Sequence, residues 1–231
     1  MGKPSLVLAS TSPRRRELLA LGGWKFTIQP AEVDESQHPG ESPGGYVLRL
    51  AESKARACAA SHWNSGRMSA DEDRIFLAAD TAVVVDGNAI LGKPRDTSEA
   101  VEMLRRLRSR THQVYTGIAA MSLSNGNLCL DLCVTDVPMR SYSDKESNTY
   151  VASGDPLDKA GAYAIQHPGF HPVDTISGCY ASVMGLPLCH LTRTLRKLDI
   201  ASKTNLSAEC QSSLNYTCPI SAAVLRGEQV G

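Results

Sequence analysis

The chain opens with a short apolar run that leads directly into a capped helix, and this unit constrains the fold more than any other segment. Ser5–Ala9 has the length and composition of a buried strand. Ser12 can cap the helix that follows, Pro13 suits its first position, and Gly22 can end it. A strand, a short loop and a helix in this order are a building unit of α/β proteins. We therefore expect an α/β fold.

Apolar residues at helical spacing and turn signals continue this pattern along the chain. Further helices are predicted at about 45–60, 97–107, 143–154 and 188–198. Strand-like segments are predicted at 75–79, 83–85, 89–91, 113–121, 128–139, 173–176 and 179–184, with turn signals at 86–88 and 125–126. Because hairpins are mixed with strand–helix units, we predict a mixed twisted sheet flanked by helices rather than a strictly doubly wound sheet.

The distribution of charge and apolar residues excludes two broad classes of function. Lys plus Arg total 24 and Asp plus Glu total 24, so the formal net charge is zero. A general nucleic-acid binder usually carries a basic excess, and we therefore expect no nucleic-acid partner. The longest apolar stretch, 75–85, is interrupted by Asp80 and Thr81, so we expect no membrane-spanning segment.

The cysteines and the two ends of the chain predict the compartment and the domain limits. The seven cysteines are odd in number and form no C-x-x-C pair, which favours neither a disulfide framework nor a zinc site. No signal-peptide pattern fits the N-terminus, and we expect a cytoplasmic protein. Residues 1–200 fit one domain, whereas residues 61–73 read as a polar loop and residues 201–231 as a flexible C-terminal tail.

The segment Ser10-Thr-Ser-Pro-Arg-Arg-Arg16 is the first candidate site. Free N–H groups and the positive end of the dipole at a helix N-terminus favour an anion. Three arginines in the first turn oppose that dipole, so the cluster makes sense if a phosphate-like anion binds there. The alternative is a solvated basic face with an ordinary serine cap.

Two lysines and a carboxylate are the second set of candidates. Asp80 and Thr81 follow an apolar strand, where the clefts of α/β proteins open. Asp80 can hold Mg²⁺, act as a general base, or bond the backbone of its own turn. Lys54 lies on the apolar stripe of the second predicted helix, and it either extends to the surface or reaches into a cleft. Lys93 follows a hairpin strand and can return to the same cleft.

Two loops supply the remaining candidates. Glu35 belongs to an acidic loop, which is either solvated or a second source of metal ligands, since Mg²⁺ is usually held by one or two carboxylates plus substrate oxygens. The segment 153–166 is long for a connecting loop and ends on Gln166, whose amide can pair with the edge of a nucleobase.

Five segments together resemble the Maf family of nucleoside triphosphate pyrophosphatases. The matching stretches are LASTSPRR, AADTAVVVDGNAILGKPRD, EAVEMLRRLRSRTHQVYTG, SGDPLDKAGAYAIQ and SVMGLPL, in this order over about residues 4–200. The resemblance implies a mixed α/β fold with two lobes around a central cleft, commonly a homodimer. It also implies hydrolysis of a nucleotide to its monophosphate and pyrophosphate with Mg²⁺ or Mn²⁺.

The same resemblance implies a role for each candidate residue. The residues expected to bind phosphate or neutralise its charge are Ser10, Arg14, Arg15, Lys54 and Lys93. Glu35 and Asp80 are expected to serve the metal and the water, with Asp80 as the proton acceptor.

Substrate choice is also implied by the resemblance. Arg14, Thr81 and Gln166 match positions that separate enzymes acting on dTTP and UTP from those acting on 7-methyl-GTP, and the D-K-A-G-A-Y-x-I-Q segment is typical of the former. We therefore expect dTTP, UTP and modified pyrimidine triphosphates as substrates. Ala164 and the segment His167–Pro172 depart from the family pattern beside Gln166, where they can reshape the base pocket.

Three other functions remain open from the sequence. One is a pyrophosphatase of another specificity, acting on 7-methyl-GTP or inosine triphosphate. Another is a non-catalytic nucleotide-binding regulator of cell division. The third is a nucleic-acid-binding protein that uses the arginine cluster, which the zero net charge disfavours.

Overall fold

The protein is built on one mixed sheet of six strands. A computed structural model describes residues 5–64 and 74–231. The strands are β1 Ser5–Leu8, β2 Phe26–Ile28, β3 Arg74–Val85, β4 Ala89–Leu91, β5 Thr111–Ser122 and β6 Leu128–Pro138. Their order is β2-β1-β3-β5-β6, with β4 paired to β3. β1 runs parallel to β2 and β3, whereas β3, β5 and β6 form antiparallel pairs. The prediction of a mixed α/β sheet is confirmed.

Helices flank this sheet. They are α1 Pro13–Ala20, α2 Pro43–Asn64, α3 Thr97–Leu107, α4 Asp144–Ala152, α5 Tyr180–Val183, α6 Leu188–Arg196, α7 Leu206–Leu214 and α8 Ser221–Leu225. Two short 3-10 turns, Asp155–Asp158 and Ala160–Ala162, follow α4. α2 lies directly on β5, because a methyl group on Gly117 would come within 2.6 Å of the carbonyl oxygen of Val47. This close contact fixes the helix that carries Lys54.

On the face of the sheet away from α2, the long strands run through two separate apolar cores, whereas the other face packs against α2. On β3, Ile75 and Leu77 belong to the core that α1 and α6 cover, whereas Val83 and Val85 belong to the core that α3 and α4 cover. Asp80 and Thr81 lie between them on the same strand. The two cores therefore define two lobes, and polar side chains mark the position where the lobes meet.

Several boundaries differ from those predicted from the sequence. The segments 75–79 and 83–85 form one continuous strand, because Asp80 and Thr81 keep the ladder with β5 intact. α2 continues through residues 61–64, which were expected in a loop, and residues 65–73 of that loop lie outside the described residues. The segment 179–184 is helical rather than extended, and Val173 forms only an isolated bridge with Met139.

Residues 201–231 are folded, and the prediction of a flexible tail is wrong. α7 and α8 bury Leu206, Cys210 and Val224. The side chain of Arg193 on α6 donates to the carbonyl of Glu228 at 2.6 Å, which secures the end of the chain. α7 is largely polar and α8 has only five residues, so neither shows a clear apolar stripe, yet one or two anchors suffice where α6 supplies the opposing surface.

None of the described helices combines the length and the apolarity that are needed to cross a bilayer.

Candidate active site

A cleft of about 740 Å³ opens where the two lobes meet. Its walls come from the loop after β1, the middle of β3, the segment after β4 and the chain around residues 158–166 and 183–185. The structure brings every candidate residue predicted from the sequence to this cleft: Ser10, Arg14, Arg15, Glu35, Lys54, Asp80, Thr81, Lys93 and Gln166.

The N-terminus of α1 faces the cleft with its serines and arginines. The hydroxyl of Ser12 accepts the N–H of Arg15 at 3.4 Å and caps the helix, and the hydroxyl of Ser10 accepts the N–H of Ser12 at 3.2 Å. The first turn contains no acidic residue that would neutralise Arg14 and Arg15. Positive charge and helix dipole therefore act together on the cleft, as an anion site requires.

Lys54 connects the two carboxylates of the cleft. Its Nζ atom lies 2.6 Å from Oδ1 of Asp80 and 2.6 Å from Oε1 of Glu35. The side chains of Lys54 and Asp80 are only 13% and 12% exposed, whereas that of Glu35 is 60% exposed. Of the two readings left open for Lys54, the structure supports the one in which it reaches into the cleft.

The charges around Glu35 keep this carboxylate ionised. Burial raises the pKa of Glu35, but the hydrogen bond from Lys54 and the charges of Lys54, Lys93 and Arg15 lower it further, so the net pKa lies below its usual value. Lys93 itself is exposed and acts on Glu35 through its charge alone. The cleft thus holds an anionic pair within a ring of cations.

A chain of hydrogen bonds fixes Arg15 in the floor of the cleft. Its Nε donates to the carbonyl of Gly185 at 2.9 Å and its Nη2 donates to the hydroxyl of Thr81 at 3.1 Å. The hydroxyls of Thr81 and Thr116 lie 3.0 Å apart, and Thr116 donates to the carbonyl of Ser182 at 2.9 Å. Burial lowers the pKa of Arg15 and the charge of Asp80 opposes that shift, so the guanidinium stays charged.

The donor atoms of the cleft fit a hard divalent cation. Glu35 and Asp80 already converge on one positive charge, the ammonium of Lys54, which occupies the kind of position that a metal ion would take. Carboxylate oxygens are the ligands that Mg²⁺ and Mn²⁺ prefer. The described part of the chain contains no group of three or more His, Cys, Asp or Glu residues that could hold a metal by itself. Two protein carboxylates plus oxygens of a bound ligand would have to complete the coordination.

Gln166 lines the same cleft, at the end of a segment in which the hydroxyls of Tyr150 and Tyr163 make hydrogen bonds. The hydroxyl of Tyr150 accepts the N–H of Ala164 at 3.0 Å and donates to Oδ2 of Asp155 at 2.7 Å. The hydroxyl of Tyr163 lies 2.8 Å from Nε2 of His112, and burial lowers the pKa of His112 to about 4, so this imidazole is neutral. The exposed amide of Gln166 therefore projects from a fixed backbone.

The bulky residues after Gln166 turn away from the cleft. Phe170 is buried and stacks on Tyr150 with ring centroids 4.5 Å apart, and the ring of His167 packs against Tyr150 at 4.6 Å. Nδ1 of His167 also accepts the N–H of Phe170 at 2.9 Å. Neither residue lines the cleft, whereas Ala164 does.

Sequence reasoning missed three residues that shape the site. Tyr46 lines the cleft and donates its hydroxyl to the carbonyl of Glu35 at 2.9 Å, which anchors the acidic loop on α2. Gly185 and Thr116 hold Arg15 and Thr81 from distant parts of the chain. Gly185 and Thr116 stood in stretches that the sequence singled out, SVMGLPL and EAVEMLRRLRSRTHQVYTG, whereas Tyr46 did not.

Comparisons with known proteins agree on one family. A model of the family described as Maf-like protein matches residues 5–198. The dTTP/UTP pyrophosphatase of Citrifermentans bemidjiense is 44% identical over 196 residues, which cover 85% of this chain and 96% of that protein. The dTTP/UTP pyrophosphatase of Geobacter sulfurreducens is 43% identical over 198 residues, covering 86% and 98%. That of Myxococcus xanthus is 47% identical over 183 residues, covering 79% and 87%.

Proposed function

Since this chain belongs to the Maf family, we propose that it hydrolyses dTTP, UTP and modified pyrimidine nucleoside triphosphates to the monophosphate and pyrophosphate, and so cleans the nucleotide pool. One observation carries the proposal: Lys54 joins Glu35 and Asp80 in a cleft that the arginine-bearing N-terminus of α1 also lines. The names and the long coverage of the relatives support the same substrates.

The cations of the cleft bind the triphosphate. A triphosphate carries several negative charges, which must be neutralised before water can approach the phosphorus. Arg14 and Arg15 provide guanidinium forks that match phosphate oxygens, and Ser10 lines the cleft just before the N-terminus of α1. Lys93, which is exposed and lines the same cleft, neutralises the outer phosphates.

Asp80 accepts the proton of the attacking water. It is largely buried at the junction of the lobes, and Lys54 holds its carboxylate in place at 2.6 Å. Glu35 and Asp80 would hold a divalent cation, Mg²⁺ or Mn²⁺, which when bound stabilises charge on the phosphate oxygens and on the pyrophosphate leaving group. Attack on the α phosphorus then gives the monophosphate and pyrophosphate, and no serine or cysteine nucleophile is required.

Gln166 recognises the base. Its amide offers a donor and an acceptor side by side, as the edge of a pyrimidine requires. Arg14 and Thr81 complete the set of positions that separate the dTTP/UTP subfamily from the one acting on 7-methyl-GTP. Because His167 and Phe170 pack into the lobe core, they leave the space before Gln166 open.

Assembly and compartment complete the proposal. The resemblance to the Maf family supports a homodimer in the cytoplasm, without a nucleic-acid partner. All seven cysteines are free, as is usual in a reducing compartment. Analytical ultracentrifugation tests the dimer, and a single species of monomer mass at micromolar concentration would refute it.

A panel of nucleoside triphosphates with pyrophosphate detection, run with Mg²⁺ and with Mn²⁺, tests the function. We expect dTTP and UTP to give the highest kcat/KM, by at least about tenfold over purine triphosphates. Preference for 7-methyl-GTP or inosine triphosphate would overturn the substrate assignment. Nucleotide binding without pyrophosphate release would instead favour a non-catalytic regulator.

The variant Gln166→Glu tests base recognition within the same panel. The carboxylate that replaces the amide loses the N–H donor, so discrimination between dTTP and other nucleotides should fall, while the affinity for pyrophosphate as an inhibitor should stay unchanged. Unchanged discrimination would remove Gln166 from this role.

A further inference from the structure

The hydroxyl of Thr116 lies behind the catalytic cleft, where a ligand does not reach it. Thr116 pairs with Thr81 directly across the ladder of β3 and β5, and the two hydroxyls are 3.0 Å apart. Thr116 is fully buried and does not line the cleft, whereas Thr81 is half-buried and does. Any effect of the Thr116 hydroxyl on a bound ligand therefore passes through the hydroxyl of Thr81.

The hydrogen bond between these two hydroxyls runs in only one direction. A hydroxyl has a single proton to donate, and a backbone carbonyl can only accept. The hydroxyl of Thr116 donates to the carbonyl of Ser182 at 2.9 Å, so its proton is already used. Thr81 must therefore donate the proton in its bond with Thr116.

The carbonyl that receives the Thr116 proton is itself held in place. It also accepts the N–H of Gly185 at 2.8 Å, which occupies its second lone pair. Thr116 and Ser182 are both fully buried, so bulk water does not compete for either group. The direction of the bond is therefore set by the fold rather than by solvent.

Arg15 contacts the same hydroxyl of Thr81 from the other side. A guanidinium carries donors only, and Nη2 of Arg15 donates to this hydroxyl at 3.1 Å. One lone pair of Thr81 thus receives Arg15, its proton goes to Thr116, and its second lone pair is left over. Because Thr81 lines the cleft, a ligand meets its hydroxyl as an acceptor and not as a donor.

An acceptor of fixed polarity adds a kind of selection that Gln166 does not supply alone. The amide of Gln166 carries one donor group and one acceptor group, and a half-turn of the amide exchanges their positions. This amide is exposed, so it can match the edge of uracil or, after the half-turn, the edge of cytosine. Thr81 lacks this freedom as long as Thr116 takes its proton.

We propose that Thr116 is a positioning residue that fixes the hydroxyl of Thr81 as an acceptor and thereby selects nucleotides with an N–H or O–H donor at this point of the cleft. The donor is either the imide N–H of thymine and uracil or the 3′-hydroxyl, which dTTP and UTP share. Cytosine has a lone pair where uracil has the imide N–H, and that lone pair would repel the one on Thr81. The inference rests on the proposed function, because it requires that the cleft binds these nucleotides.

The test measures the affinity of the full-length protein for three non-hydrolysable nucleotides by calorimetry with Mg²⁺. They are the α,β-imido analogues of UTP, CTP and 3′-deoxy-UTP, so that the second lacks the imide N–H and the third lacks the 3′-hydroxyl. We expect the wild type to prefer the UTP analogue over one of the other two. Thr116→Val should reduce that preference about five- to tenfold, as expected for one hydrogen bond whose polarity is no longer fixed. The ratio that changes identifies the donor.

Three further variants separate polarity from packing. Thr116→Ala removes the same hydroxyl with less bulk and should give the same reduced preference, whereas Thr116→Ser keeps the hydroxyl and should keep the wild-type ratios. Thr135→Val is the matched control, because Thr135 is a buried threonine of the next strand whose hydroxyl donates to the carbonyl of Cys179 at 3.5 Å. This variant should also keep the wild-type ratios.

Two results would overturn the proposal. One is equal affinity of the wild type for all three analogues. The other is a loss of affinity in Thr116→Val and Thr116→Ala by the same factor for each analogue, which would show a purely structural role. Release of pyrophosphate from dTTP and UTP by the wild type tests the proposed function separately. If pyrophosphate is released but the ratios do not depend on Thr116, only the role of Thr116 is wrong.

Discussion

Lys54 organises the charges of the cleft more than any other single side chain. It lies on the apolar stripe of α2 beside buried residues, yet its ammonium is held by two carboxylates at 2.6 Å. Burial alone would raise the pKa of Glu35, and the hydrogen bond and charge of Lys54 are the largest of the opposing influences. Lys54 therefore determines the pH range in which Glu35 is ionised.

Replacing Lys54 by methionine should move the acidic limb of the pH profile of kcat/KM to higher pH. Glu35 is needed as the ionised carboxylate. Removing the ammonium of Lys54 raises the pKa of Glu35 in the folded protein, so activity is lost at a higher pH when the pH is lowered. A pH–rate profile from pH 4 to 9 measures the shift. Lys93→Met, which removes only a longer-range charge, should shift the limb less. An equal shift in both variants would refute a special position for Lys54.

Gly185 is a second important residue of the cleft, and its backbone conformation and its neighbours restrict this position to glycine. Its φ of +102° disfavours any side chain. A methyl group there would lie 3.2 Å from Nε of Arg15 and 3.3 Å from the hydroxyl of Thr81. Gly92 also lines the cleft but has open space around it and a φ outside the left-handed region.

Gly185→Ala should lower the free energy of unfolding by about 1–3 kcal/mol because of the backbone strain. It should also lower kcat/KM by about tenfold, mainly through KM, because Arg15 is displaced from its position. Denaturant titration and steady-state kinetics measure the two effects. Gly92→Ala serves as the matched control and should behave like the wild type, and a wild-type KM in Gly185→Ala would contradict the inferred role of the Arg15 contact.

β3 shows how one secondary-structure element positions the chemistry. On the face away from α2 its apolar residues enter two different cores, and the polar residues Asp80 and Thr81 lie between them at the lobe junction. The sequence predicted that Asp80 follows an apolar strand, but it also predicted that the strand ends there. A strand predicted from its apolar residues ends at the first polar residue. In the structure, the pairing with β5 continues β3 past Asp80 and Thr81.

Other parts of the site depend on contacts between distant residues and were not predictable from local pattern. Arg15 and the carbonyl of Gly185 are 170 positions apart. The segment 179–184 was predicted as a strand because short apolar runs are ambiguous between strand and buried helix. The candidate residues lie together along one cleft in the structure, whereas the role predicted for each of them stays a prediction.

The segment that ends on Gln166 supplies a prediction about a single phenol. Tyr150 accepts the N–H of Ala164 and thereby fixes the backbone two residues before Gln166. Tyr142 belongs to the same aromatic group around Phe170, but its hydroxyl donates to the carbonyl of Leu104 instead. The two tyrosines therefore allow a matched comparison.

Tyr150→Phe should reduce the discrimination between dTTP and other triphosphates several-fold, because the amide of Gln166 loses its fixed orientation. The inhibition constant of pyrophosphate should not change, since Tyr150 does not line the cleft and supports the segment before Gln166. Tyr142→Phe should lose comparable stability, about 1–3 kcal/mol, without any change in discrimination. Competition assays with paired nucleotides measure the ratio, and equal ratios in both variants would contradict the prediction.

The whole molecule extends beyond the part that the family model matches. Residues after 198 add α7 and α8 to the outside of α6, and Leu206 is only 3% exposed in that contact. A docked extension of this kind contributes to the stability of the lobe that α1 and α6 cover, whereas a flexible tail would contribute nothing.

Leu206→Ala should lower the free energy of unfolding by about 2–5 kcal/mol, as expected for a buried leucine. Leu157→Ala is the matched control, because Leu157 is 37% exposed and its truncation should cost far less. Urea denaturation followed by circular dichroism measures both values. Equal and small effects would show that the extension is not docked in solution.

We propose that a water molecule attacks the α phosphorus in this cleft. The most direct test follows the oxygen atom of that water into the products. Wild type and Asp80→Asn are given dTTP and Mg²⁺ in water enriched in oxygen-18, and the products are identified by mass spectrometry. We predict labelled dTMP and unlabelled pyrophosphate from the wild type. The variant should bind dTTP but turn it over at least about 100-fold more slowly. Formation of dTDP and phosphate, label in the pyrophosphate, or near-normal turnover by Asp80→Asn would contradict the proposal.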